Sequence, residues 1–193
     1  MIIGLILAAG QSRRMGQPKL PLSWGERTVL GQVIHILKAA DVEQVLVVTG
    51  SDKTFVEQIA EAGEATTVFN PNFASGEMLS SLQAGLRAMP EGAQAALIAL
   101  GDQPQILERT VRAIVDEYRR TSSALIVPSY RMRRGHPWLV ARGLWNSILE
   151  MQSPESPREF LNQRSADIHY VELDTPTILQ DLDTPEDYLK SRE

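Results

Sequence analysis

The stretch Leu5 to Lys19, LILAAGQSRRMGQPK, runs from an apolar strand directly into a short glycine-bearing loop that carries three cations. Residues Met1 to Leu7, MIIGLIL, make an apolar run suited to a strand buried on both faces, and the polarity changes sharply at Ala8. In open α/β sheets, ligands bind beyond the carboxyl ends of strands. Ala8, Ala9 and Gly10 keep bulk out of the way there, while Ser12, Arg13, Arg14 and Lys19 supply hydroxyl and cationic donors. The junction reads as a polyphosphate seat. It is not a P-loop, because Gly10 and Gly16 are separated by five residues and followed by Gln17 and Pro18. Nor is it a dinucleotide fingerprint, since Gly10 is followed by Gln11 and Ser12 with no second glycine. Backbone N–H groups and cations are left to wrap the phosphates, with no helix N-terminus in the usual place.

Outward from this loop, strand-like and helix-like segments alternate, which predicts a mostly parallel sheet with helices on both faces. Thr28 is placed to cap a helix through VLGQVIHILKAA, and Val45 to Val48 reads as the next strand. Ser51 precedes a helix through Phe55, Val56 and Ile59, Thr66 to Phe69 is a third strand, and NPNFASG is a loop. Glu77 to Met89 reads as a helix, Ala95 to Leu100 as a buried strand, Leu107 to Arg120 as the longest amphipathic helix, and Ala124 to Pro128 as a strand. The strand-like WLVA from Trp138 predicts a small antiparallel excursion, followed by two short helices. Ile168 to Leu173 reads as a late strand, and Thr184 with Pro185 starts a C-terminal helix.

At 193 residues and 43% hydrophobic, the chain is expected to fold as a single domain over residues 1–193. No apolar stretch approaches the roughly 20 residues that span a bilayer, and Met1 to Ala9 lacks the basic region and cleavage site of a secretory signal. The absence of cysteine excludes disulfides, thiolate nucleophiles and zinc-thiolate sites. A cytoplasmic protein is expected. The net charge of −5 argues against a nucleic-acid partner, which demands a basic face. Anionic small molecules must therefore be met by local cations, in Arg13, Arg14 and Lys19 or in Arg131, Arg133 and Arg134 of YRMRRGHP.

Asp102 ends the fourth strand in LGDQP, where Gly101 lets the backbone turn and Pro104 stiffens the exit. Magnesium takes one or two carboxylates and fills its other positions with water and substrate phosphates. A strand-end aspartate beside a cationic loop has that composition, and a second carboxylate is available from Asp181 or Asp183 in LQDLDTP.

The stretch LAAGQSRRMGQPK resembles the LAAGxSxRMGxxK signature of nucleotidyltransferases with a glycosyltransferase-A-like fold, specifically the MobA-like group that handles molybdenum cofactor. GDQP at Gly101 to Pro104 resembles that group's metal-binding GDxP. RRGHP at Arg133 to Pro137 and DLDTPEDY at Asp181 to Tyr188 are similar to segments of molybdenum cofactor cytidylyltransferases. The likeness spans essentially the whole chain, in order. It implies a single-domain three-layer α/β/α Rossmann-like fold that transfers CMP from CTP to the terminal phosphate of molybdenum cofactor. On the same resemblance, Leu7 to Gly10 line the nucleotide, Arg14 and Lys19 hold the triphosphate with Ser12 and Arg13 beside them, and Asp102 and Asp183 bind Mg2+. Asn70, Gly76 and Ser80 fall where relatives contact base and ribose. LAAG, as opposed to LAGG, accompanies cytidine selection, so Ala9 points to CTP.

A lone histidine such as His136 is by itself read as structural, but the resemblance of RRGHP implies that Arg134 and His136 bind the acceptor, with Arg133 or Arg134 as ionic partner of the histidine. His35 and His169 are read as structural, Trp138 and Trp145 as core, and Met78 as part of a mobile loop over the site. Two other readings keep the nucleotide site. One is a transferase acting on a different phosphorylated small molecule such as a sugar phosphate, and the other is a non-catalytic molybdenum cofactor-binding chaperone that serves a molybdoenzyme.

Overall fold

The computed structural model describes residues 1–75 and 77–191. In chain order it contains β1 (Ile2–Ala8), a hairpin of β2 (Ser23–Trp24) and β3 (Arg27–Thr28), α1 (Val29–Ala39), β4 (Gln44–Thr49), α2 (Lys53–Ala62), β5 (Thr66–Phe69), α3 (Glu77–Arg87), β6 (Ala95–Leu100) and α4 (Glu108–Thr121). There follow β7 (Leu125–Tyr130), β8 (Arg133–Arg134), β9 (Trp138–Ala141), α5 (Trp145–Leu149), α6 (Pro157–Gln163), β10 (Ile168–Glu172) and α7 (Pro185–Ser191). The main sheet runs β10-β7-β9-β6-β1-β4-β5, with β8 attached to β7. Pairs β1–β4, β1–β6, β4–β5 and β7–β10 are parallel, whereas β9 lies antiparallel between β6 and β7. The expected antiparallel excursion is thus a strand inserted within the sheet.

Period-two alternation divides the core between the two faces of the sheet. Ile2, Ile6, Val45, Val47, Leu97 and Ala99 pack with α1, α2 and α4 residues such as Leu30, Val56 and Ile114. Ile3, Leu5, Leu46, Val48, Ala96 and Ile98 face the other way, against Leu82 of α3, Trp145 of α5 and Phe160 of α6. The arrangement is the expected three-layer α/β/α fold. Local signals agree with it: Thr28 Oγ1 accepts the Gly31 N–H at 3.0 Å and caps α1. Ser156 and Glu159 form a reciprocal cap at the start of α6, with Pro157 in its first turn. Among the described residues, no helix is long and apolar enough to cross a membrane.

This winding fixes where a ligand can sit. The chain moves from β1 outward through β4 to the edge strand β5, then returns over the opposite face through α3 to β6, on the other side of β1. The direction reverses between β1 and β6, and such a switch leaves a crevice beyond the strands' carboxyl ends. Leu7 lies opposite Leu100, and the Gly101 N–H donates to the Leu7 carbonyl at 3.0 Å. Asp102 therefore emerges beside the loop that leaves β1.

Candidate functional site

A cavity of about 590 Å³ fills that crevice, and Leu7, Ala8, Ala9, Gly10, Ser12, Arg13, Arg14, Lys19, Asp102 and Asp183 all line it. The loop that carries most of them is held by its own polar atoms and by two buried anchors, Met15 and Leu20. Met15 N–H donates to the Ser12 carbonyl at 3.0 Å, and Lys19 N–H donates to Ser12 Oγ at 3.3 Å. Because that Oγ is the acceptor, its own proton remains available to a ligand. Gly16 adopts φ +70°, a conformation that side chains disfavour. Arg13 Nε donates to Gln11 Oε1 at 2.6 Å, on the exposed side of the loop.

Two residues that support this loop escaped the sequence reading. Ser51 Oγ donates to the Gly10 carbonyl at 2.7 Å. A Cβ at Gly50 would lie 2.5 Å from the Ala9 carbonyl oxygen and 2.8 Å from Ala9 Cα, so only glycine lets β4 end this close to the loop. The signal was the Gly-Ser pair directly after Val45 to Thr49.

Two of the cavity's three cations face carboxylates. Lys19 Nζ pairs with Asp102 Oδ2, donates to the Leu182 carbonyl at 3.0 Å, and stands 3.5 Å from Asp183 Oδ1. Arg14 reaches Asp183 Oδ2 at 2.8 Å. Side-chain exposure is 13% for Lys19 and 20% for Asp102 but 71% for Arg14, so water and salt screen the arginine contact far more than the lysine one. Of the two acids in LQDLDTP, Asp183 faces the cavity. Asp181 turns away and accepts from Gln103 Nε2 at 2.5 Å. Burial is the main cause that lifts the Asp181 carboxyl above its usual range; the Gln103 hydrogen bond acts the other way, and the Asp102 and Asp183 charges add to the rise. Among the described residues, no group of three or more His, Cys, Asp or Glu is placed to hold a metal. The available donor set is the pair of carboxylates that Lys19 bridges.

Arg134 and His136 line a second cavity, of about 820 Å³, with Trp138, Arg158, Asn162 and Tyr170. Met78 lines both cavities, so they adjoin there. Arg134 is positioned by groups distant in sequence: its Nε donates to the Tyr170 hydroxyl and its Nη1 to Asn162 Oδ1, each at 2.9 Å. Its guanidinium also lies 5.7 Å from the Tyr170 ring centroid. A Cβ at Gly135 would lie 2.2 Å from the Ile178 carbonyl oxygen, and the His136 N–H donates to that same oxygen at 3.1 Å. The expectation of an ionic partner for His136 is corrected. Burial pushes this imidazole down to about 4, so it is neutral at pH 7, and Arg134 is engaged by Tyr170 and Asn162.

The NPNFASG segment divides differently from its reading. Asn70 is buried, and its Nδ2 donates to Ser80 Oγ at 2.9 Å and Ser81 Oγ at 3.0 Å, so the amide ties β5 to α3. Ser81, one residue beyond the predicted Ser80, lines the first cavity. Gly76 lies outside the described residues. Met78 belongs to the first turn of α3, which corrects its reading as part of a mobile loop. Trp138 and Trp145 are buried in the core, and Trp138 also closes one side of the second cavity. His35 is exposed on α1, and His169 Nε2 lies 2.5 Å from Glu117 Oε1, away from both cavities.

Known proteins share this fold. The chain is 28% identical over 191 residues to the molybdenum cofactor cytidylyltransferase of Escherichia coli, covering 98% of this chain and 94% of that protein. The crystal structure of Rv0371c from Mycobacterium tuberculosis superposes with a TM-score of 0.84 at 25% identity, covering 98% of this chain and 96% of that one. Its complex with manganese superposes with a TM-score of 0.81 at 24% identity, over 98% and 97% of the two chains. A family model for the MobA-like NTP transferase domain matches residues 4–168. With that match over most of its length, this chain belongs to the MobA-like NTP transferase family of nucleotidyltransferases.

Proposed function

We propose that this protein transfers CMP from CTP to the terminal phosphate of molybdenum cofactor and releases pyrophosphate. The observation that carries the reading is the meeting at Met78 of two unlike cavities, one lined by Arg14, Lys19, Asp102 and Asp183 and the other by Arg134, His136 and Trp138; on this reading the first takes the triphosphate and the second the phosphorylated planar acceptor. The name of the E. coli relative supports this choice of nucleotide and acceptor, and Ala9 of LAAG is in keeping with cytidine. In the reaction an acceptor phosphate oxygen bonds to the α-phosphorus while the bond to the β-phosphate oxygen breaks. Pyrophosphate leaves with the electron pair. No side-chain nucleophile is required, so positioning and charge neutralisation carry the catalysis.

Arg14 and Lys19 exchange their carboxylate partners for phosphate oxygens and stabilise the charge that develops on pyrophosphate. Asp102 and Asp183 would hold Mg2+: two carboxylates already converge on one positive group, the Lys19 ammonium, and all-oxygen donors suit a hard cation. A bound divalent ion supplies charge neutralisation at the phosphates, and the manganese complex of Rv0371c supports such a requirement. Arg134, fixed by Tyr170 and Asn162, and the neutral N–H of His136 would hold the acceptor. The whole 1–193 chain would act as one domain, and its lack of cysteine supports a cytoplasmic setting. Delivery of the product to a molybdoenzyme or its chaperone would follow release.

The test is pyrophosphate release with CTP, GTP, ATP or UTP, each with and without molybdenum cofactor. Release with CTP alone, and only when the cofactor is present, is expected. Turnover with CTP and a sugar phosphate but not with the cofactor would replace the acceptor. Binding of the cofactor without pyrophosphate release from any nucleotide would favour the chaperone.

A further inference from the structure

Asp102 and Asp183 come from segments with no strand pairing between them. Asp102 follows β6, whereas Asp183 lies on the irregular strap, residues 180–184, that leads into α7. Something must set their separation. The backbone supplies one tie, from the Leu182 N–H to the Asp102 carbonyl at 3.2 Å, and the Leu182 side chain is buried in the core. Gln105 Nε2 donates to the Gln180 carbonyl at the outer end of the strap. Between these lies Gln103, only 2% exposed, whose Nε2 donates to Asp181 Oδ1 at 2.5 Å. Its Oε1 is buried without a hydrogen-bond partner. Burying an amide with half its capacity unused is costly, and the hydrogen bond gained for that cost is the side-chain bridge between the GDQP turn and the strap. Gln103 directly follows Asp102 and Asp181 lies two residues before Asp183, so the bridge locks the two cavity carboxylates from behind.

We infer that Gln103 and Asp181 form a positioning clamp that sets the Asp102–Asp183 pair for a divalent cation, without either residue touching the ligand. This rests on the proposal that Asp102 and Asp183 hold the metal. The clamp acts on metal affinity and leaves the Arg134 side of the site alone. Removal of groups that orient metal ligands costs on the order of tenfold or more in affinity.

The experiment measures Mn2+ binding by electron paramagnetic resonance in the presence of CTP, together with steady-state kinetics at varied metal. Gln103→Leu breaks the bridge without altering charge. Asp181→Ala breaks it and removes a charge, while Asp181→Asn removes the same charge but keeps an oxygen able to accept from Gln103. Gln103→Leu and Asp181→Ala are expected to weaken Mn2+ binding by roughly tenfold and to raise the metal concentration for half-maximal rate, with KM for the acceptor unchanged. Asp181→Asn is expected to recover most of that loss. Folded Gln103→Leu and Asp181→Ala proteins that bind Mn2+ as the parent does, while Asp183→Ala does not, would overturn the clamp. Parent-like Mn2+ binding by Asp183→Ala would overturn the metal assignment beneath it. A clamp variant that loses thermal stability but keeps its metal affinity would mark the bridge as structural only and overturn the inference.

Discussion

The two cavities handle charge in opposite ways. In the first, Lys19 faces Asp102 and Arg14 faces Asp183 inside the same pocket, while Arg13 donates to the neutral Gln11 amide oxygen. In the second, three arginines outnumber one lining carboxylate, Glu172; Arg134 is held by neutral groups, the Tyr170 hydroxyl and the Asn162 amide, and among the described residues Arg133 and Arg158 have no ion-pair partner. A matched pocket suits a ligand that arrives with its own counter-ion, because cation and anion can each replace one member of the internal pairs. An unmatched pocket suits a ligand that arrives as a bare anion. These are the different needs of a metal-bound triphosphate and of a phosphate monoester.

Lys19→Ala should break the comparison most severely. The variant leaves Asp102 without its nearest cation and the triphosphate without a deep positive group, and pyrophosphate release should fall by roughly 10³-fold with an unchanged circular dichroism spectrum. A folded variant with near-parental turnover would show that the matched pocket does not carry the chemistry. Arg134→Ala sharpens the contrast: KM for the acceptor should rise about tenfold, the equivalent of 1.4 kcal/mol, while KM for CTP stays put. Equal changes in both constants would erase the division between the cavities.

The smallest effect concerns pH. The folded-state value for His136 is lowered from 6.5 to about 4, so between those values the unfolded chain binds more protons than the folded one. Stability should be fully present above about pH 6.5 and should fall as the pH drops toward 4. Thermal melts of His136→Gln over that window should show a shallower pH dependence than the parent; coincident slopes would mean that the imidazole takes up its proton as readily in the fold as in the unfolded chain.

Much of the first cavity was legible because its chemistry is local. The apolar runs of β1, β4 and β6 are strands buried on both faces, and such runs stand out without partners. Thr28 and the Thr184-Pro185 start announced α1 and α7 by capping chemistry within a few residues. The hairpin of β2 and β3 left no comparable signal, since each strand has only two residues. Asn70 illustrates a different obstacle. An asparagine in a loop can meet a ligand or fasten the chain, and only the approach of Ser80 and Ser81 decides for fastening. The second cavity was hardest to read, because the groups that orient Arg134 lie 28 and 36 residues away. Gly135 is the same kind of case, as the need for glycine arises from Ile178 on a distant turn.

The inserted strand β9 has a consequence for how such an enzyme can diversify. Because it runs against its neighbours, with Trp138 beside Ile98, its entrance lies at the edge where β6 and β1 have their exits. The peptide ahead of it, Arg133 to Pro137, thus reaches the rim of the second cavity without belonging to any strand-to-helix connection. On the proposed assignment, changes to that peptide would retune the choice of acceptor while the segments assigned to the nucleotide keep their sequence, so one chain would hold a fixed donor half and an independently editable acceptor half.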